Sequence, residues 1–123
     1  MHFAREDCRS EGLIRAYELG RITVGDQEYA HSLILSPGRA IMAWRPRHVD
    51  DLSHADFDAV MALQPDILLL GTGNQLNFPA PQVTVGLLQS RIGVEVMDTA
   101  AACRTYNILF AEQRRVVAAL LLD

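Results

Sequence analysis

Two short polar stretches hold the residue types from which a ligand site could be built. Gly71-Thr72-Gly73-Asn74 follows the apolar run Ile67-Leu68-Leu69-Leu70, and Asp98-Thr99 follows Val94-Glu95-Val96-Met97. An apolar run without polar alternation reads as a strand covered on both faces. Ligands of open α/β sheets gather at the carboxyl ends of such strands. If these two strands are parallel neighbours, Thr72 and Asn74 stand near Asp98 and Thr99 on one sheet edge. The N–H groups of Gly73, of Asn74 and of the helix that starts at Thr99 then converge. With Arg104 nearby they would favour a small anion such as phosphate or a carboxylate. Asp98 opposes this unless it turns inward as a helix cap, so the expected affinity is weak, on the order of millimolar. Gly-Thr-Gly lacks the third glycine of a dinucleotide fingerprint and the Lys of a P-loop, and a plain strand-to-loop turn is the favoured reading over a ligand loop.

Other reactive residue types are present but scattered. Cys103 falls on the apolar arc of a helical pattern with no His beside it, which marks a small core residue more than a nucleophile. Cys8 sits in a charged leader. Neither cysteine belongs to a CxxC pair or a Cys/His ligand spacing, so neither zinc nor a disulfide is called for. His31, His48 and His54 share no metal spacing either. Glu95 is either a buried carboxylate of raised pKa or the solvent side of a pleat. Tyr106 should bury its ring and find one partner for its hydroxyl. No catalytic residue, metal or cofactor is expected. A second candidate surface combines Trp44, Arg45 and Arg47 with the Pro-containing loop 76–83. Trp and Arg are interface-enriched types, although Trp44 could equally plug one edge of the core.

The totals narrow the class. A chain of 123 residues, 50% hydrophobic and 21% charged, is one domain with an ordinary soluble composition. The net charge of -4 argues against a nucleic-acid binder. All 11 basic residues are Arg, which suits anion recognition but also follows from genome composition. The N-terminus has no apolar signal segment, and the longest apolar run, 116–122, is too short to span a bilayer. A reducing cytoplasm is the simplest location.

The elements that must position these residues can be read in order. Residues 1–12 are polar and peripheral. Residues 13–19 form a first strand, followed by a hairpin of 21–24 and 27–36 turning at Gly25-Asp26. A strand over 40–44 ends at Arg45-Pro46, so the first third is an antiparallel meander. Ser53 caps a helix with Asp56 at its third position, Leu52 and Phe57 staple it, Phe57, Val60 and Met61 share a face, and Pro65 stops it. The central strand, a loop over 74–81 and a helix over 82–91 follow, with Leu87 and Leu88 inward and Gly93 as the stop. The strand 94–97 completes a strand–helix–strand unit, which implies a parallel crossover. A third helix capped by Asp98-Thr99 buries Ala102, Cys103, Tyr106, Leu109 and Phe110 and leaves Ile108 on its polar side. An apolar strand over 115–122 closes a single α/β domain: a mixed sheet, an N-terminal meander and about three helices packed on the sheet in β/β/α layers.

Leu70-Gly71-Thr72-Gly73, Gly93-Val94-Glu95-Val96-Met97-Asp98-Thr99 and 101–109, with Glu112, Arg114 and the closing strand, resemble a family of small domains. It includes mitochondrial respiratory complex I assembly factor 3 and the adipogenesis-associated single-domain protein, besides many bacterial and archaeal members. The resemblance spans nearly the whole chain and implies a β/α domain with a mixed sheet, a smaller antiparallel layer and helices on one side. It implies no catalytic or cofactor residue. The mitochondrial member acts by protein contact, so the resemblance implies a non-enzymatic interaction or assembly domain of short bacterial type, with an unidentified protein partner and homo-oligomerisation open. The alternative is a small-ligand binder or enzyme using the 71–74 and 98–99 crevice.

Overall fold

In the computed structural model, which describes residues 13–18, 20–38 and 41–123, the most apolar strands lie side by side. In chain order the strands are β1 (Ile14–Glu18), β2 (Arg21–Val24), β3 (Gln27–Tyr29), β4 (Leu33–Leu35), β5 (Met42–Ala43), β6 (Ile67–Gly71), β7 (Gly93–Met97) and β8 (Val116–Leu120). The helices are α1 (Asp58–Leu63), α2 (Pro81–Gln89) and α3 (Thr99–Ala111), with 3₁₀ turns at Val49–Asp51 and His54–Phe57. β1-β2-β3 form an antiparallel sheet. The second sheet runs β5-β4-β8-β6-β7, with β6 parallel to both β7 and β8.

β6 and β8 occupy the middle because nothing on either of their faces tolerates water. Leu69, Ala118 and Leu120 face a core shared with Ile22 and Val24 of the small sheet and Ala102, Cys103 and Tyr106 of α3. Their alternates Leu68, Leu70, Val117 and Ala119 face a second core with Trp44, Phe57, Val60 and Leu87. The helices therefore divide between the two faces. α1 and α2 cover one, and α3 with the small sheet covers the other, where the resemblance implied helices on one side. The reason is topological. α2 carries the chain from β6 outward to β7, and α3 carries it back past β6 to β8, so right-handed connections in opposite directions must use opposite faces.

Several local expectations need correction. The 27–36 segment divides into β3 and β4, which belong to different sheets. Gln27 and Glu28 are exposed while Leu33, Ile34 and Leu35 are all buried, so only the latter can enter a two-faced core. The Ser53 turn is 3₁₀ as far as Phe57 before α1 begins. α2 starts on Pro81 and ends with Arg91 at φ 64°, not at Gly93. There the N–H of Ile92 donates to Leu87 O at 3.0 Å and that of Arg91 to Leu88 O at 3.0 Å, a Schellman closure sealed by the buried Leu87 and Ile92 side chains. That register turns Leu88 outward, 57% exposed. Tyr106 is buried as expected, yet its hydroxyl has no partner among the described residues. Cys8, Leu19 and Ala40 lie outside them.

Candidate functional site

β6, β7 and β8 point the same way, so their carboxyl ends share one edge. The chain leaves β6 toward α2 on one face and β7 toward α3 on the other, and such divergence opens a crevice between neighbouring strands. In this chain Thr99 fills it. Thr99 is 0% exposed. Its Oγ1 accepts the Gly73 N–H at 2.7 Å and donates to Leu121 O at 2.8 Å. Its own N–H donates to Gly73 O at 2.9 Å, and the Thr72 N–H donates to Met97 O at 2.9 Å. The two polar turns are thus neighbours, but they are stitched to each other. Among the donors expected to be free, those of Gly73 and Thr99 are taken within the chain. Asp98 caps α3 by accepting the Ala101 N–H at 2.8 Å. Thr72 organises its own loop: Oγ1 donates to Gln75 O at 2.6 Å and accepts the Asn77 N–H at 3.2 Å. Gly71 is required by this closeness, because a Cβ there would lie 2.9 Å from Thr99 Oγ1 and 3.0 Å from its Cα.

The surroundings of the edge are electronegative. A Cβ on Gly73 would lie 2.6 Å from an Asp123 carboxylate oxygen. Tyr17, reaching over from the small sheet, donates its hydroxyl to Asn74 Oδ1 at 2.9 Å. Burial, and then the nearby Asp123, Cys103 and Asp98, push that phenol above its ordinary value. Arg104 is exposed on α3, beside a groove of about 280 Å³ whose lining includes Arg15, Tyr17, Cys103 and Asn107. Burial raises the Cys103 thiol to about 12 despite the opposing Arg104. It is a protonated core group at neutral pH and not a nucleophile. Asn107 clamps the edge of β1: Nδ2 donates to Ile14 O at 2.7 Å and Oδ1 accepts the Ile14 N–H at 2.9 Å. No periodicity argument singles out that role.

The second candidate group is mostly occupied by its own chain. Trp44 is buried, 7% exposed, edge-to-face on Phe57 with Nε1 donating to Asp56 O at 2.8 Å. Arg45 grips Asp56 with both arms, at 3.0 and 2.7 Å, and donates to Asp51 O at 2.6 Å. Arg47 is exposed. The Arg45 guanidinium, then the Ser53 N–H and hydroxyl, hold the Asp56 carboxyl below its ordinary value. A depressed carboxylate contributes stability that is present above its unfolded pKa and lost as pH falls through the folded one. The stability gap between wild type and Asp56→Asn is therefore expected to narrow as pH falls below about 4. Urea midpoints at pH 6 and pH 2.5 check this, and a constant gap would contradict the assignment.

Large apolar side chains are exposed elsewhere. Leu76 is 54% exposed and Phe78 67% in the loop before α2; Val85 is 43% and Leu88 57% on the helix itself; and Ile108 is 58% on α3. Among the described residues no group of three or more His, Cys, Asp or Glu is placed to hold a metal ion, and no helix is long and apolar enough to cross a membrane.

Known proteins resemble this chain along most of its length. The 13 kDa major membrane protein of Francisella tularensis subsp. holarctica is 29% identical over 119 residues, 94% of this chain and 95% of that one. NADH dehydrogenase [ubiquinone] 1 alpha subcomplex assembly factor 3 of Mus musculus is 32% identical over 110 residues, 88% of this chain but 59% of that longer protein. A solution structure of a Mth938-like domain from Bordetella pertussis superimposes with a TM-score of 0.81 at 31% identity, covering 93% of this chain and 87% of that one. Residues 14–121, which carry both sheets and all three helices, match the model of the family described as protein of unknown function (DUF498/DUF598), and the chain belongs to that family.

Proposed function

We propose that this domain acts by protein contact, through the loop 74–80 and the outer face of α2. The observation that carries the reading is the exposure of Leu76, Phe78, Val85 and Leu88 within one short stretch. Val85 and Leu88 stand one turn apart on the helix, and the loop bearing the other two leads directly into it. α2 packs against the His54–Phe57 turn, whose largely buried Asp56 holds the exposed Arg45. Apolar centres bordered by Arg are the usual anatomy of interfaces. The mouse relative's name, an assembly factor, supports the same reading. The anion alternative has lost two of the N–H donors on which it was built. A cytoplasmic location belongs to the same proposal, and recovery of the native protein in an envelope fraction would remove it.

A photo-crosslinking residue at Phe78 in the native cell is expected to give discrete protein adducts, and the same probe at exposed Glu28 on the small sheet is expected to give none. Leu88→Glu should abolish the adducts while leaving thermal stability within about 0.5 kcal/mol of wild type, as for other exposed sites. Equal labelling at both positions, or none at Phe78, would sink the proposal.

A further inference from the structure

We infer that the outer face of α2 is a two-fold contact with a second copy of this chain, an inference that rests on the contact reading above. Three observations meet there. Residues 67–90 contain no Asp, Glu, Lys, Arg or His in a chain that is 21% charged. A two-fold contact sets each patch against itself, so any charge at its centre meets its own like; a patch without charge escapes that repulsion.

The second observation is Gly86. Glycine inside a helix is destabilising relative to alanine, and a Cβ at this position would meet nothing within 4 Å. Nothing inside the chain asks for it. A second helix crossing at this point does, because the side chains at a crossing set how closely two helices approach.

The third is the pattern of polar residues. The exposed positions of α2 are Pro81, Gln82, Val85, Leu88 and Gln89, with the half-buried Gly86 beside Val85. Gln82 lies three residues before Val85, and Gln89 three after Gly86. Two antiparallel copies related by an axis between Val85 and Gly86 therefore set Gln82 of each opposite Gln89 of the other. Carboxamides donate and accept together, so both pairs can bond symmetrically. In this arrangement Leu76 and Phe78 of one copy lie beside the carboxyl end of the mate's helix, next to Leu88.

Sedimentation velocity over a wide concentration range tests this on the full chain. Wild type should pass from monomer to dimer. Gln82→Glu with Gln89→Glu should weaken association about tenfold or more. Gln82→Glu with Gln89→Arg should restore it, since each new charge then faces its opposite on the mate. Residues 82 and 89 are about 10 Å apart within one helix, so the rescue cannot come from inside the chain. Gly86→Ala should raise the melting temperature of dilute monomer and weaken the dimer, two shifts of opposite sign. A monomer at every concentration, or a dimer indifferent to both charge pairs, overturns the inference. If that monomer still gives protein adducts from Phe78 in the cell, the contact reading survives with a different partner; if it gives none, both readings fall.

Discussion

Truncating Leu69 to alanine is expected to destabilise the protein by about 2–5 kcal/mol, and by more than the same truncation of Phe110. Leu69 is 0% exposed in β6, with β8 and β7 hydrogen-bonded on either side and Ala102, Cys103 and Tyr106 among the residues of its core. A sheet paired on both edges cannot collapse around a missing isobutyl group, so the cavity term persists in full. Phe110 lies in the last turn of α3, half-buried, stacked on Tyr106 with ring centroids 6.0 Å apart. Part of its ring already meets water, so its truncation removes less buried surface and leaves a smaller cavity. Denaturant midpoints at constant m-value measure the difference. If the Leu69 variant keeps the wild-type midpoint, or loses less than the Phe110 variant, the place of β6 at the centre of the fold is wrong.

What the sequence made legible was whatever depends on period and on chain neighbours. Three leucines in succession announced a strand buried on both faces, and Leu68, Leu69 and Leu70 are that. The Gly25-Asp26 turn was readable because Gly25 takes the positive φ of 58° that a tight hairpin needs at its first central position. What stayed hidden depends on strand order and on distant partners. Once β8 is known to lie on the far side of β6 from β7, the handedness rule alone sends α3 to the opposite face from α2. Nothing in Val94–Met97 or Val116–Leu120 announces that order. The same limit applies to the candidate site. Gly73 and Thr99 are 26 positions apart, and whether an N–H in a loop is free cannot be told without the residue that takes it. Trp44 and Arg45 looked like interface anchors by type, and both are held by Asp56, 12 and 11 positions away. Leu88 was misplaced because α2 is short and its closing turn at Arg91 sets its rotation. That outward leucine became part of the surface on which the proposed function rests.

Thr99→Val is expected to cost about 2–4 kcal/mol, although it changes almost no volume. The Thr99 hydroxyl joins three strand ends: it follows β7, accepts from Gly73 beyond β6, and donates to Leu121 beyond β8. Valine keeps the shape and removes both bonds, leaving a buried N–H and a buried carbonyl unpaired by this side chain at about 1–3 kcal/mol each. Thr99→Ser keeps the hydroxyl and gives up only a methyl group, about 1 kcal/mol. The order of the two substitutions is therefore the informative result: serine should be the milder, against the usual preference of a packed site for retained volume. Amide exchange adds a local readout, because the Gly73 N–H should lose protection in the valine variant and keep it in the serine variant. If valine is neutral and serine the more damaging, the crevice is closed by the methyl group's packing, and the hydrogen-bonded stitch between the two polar turns is incidental to the fold.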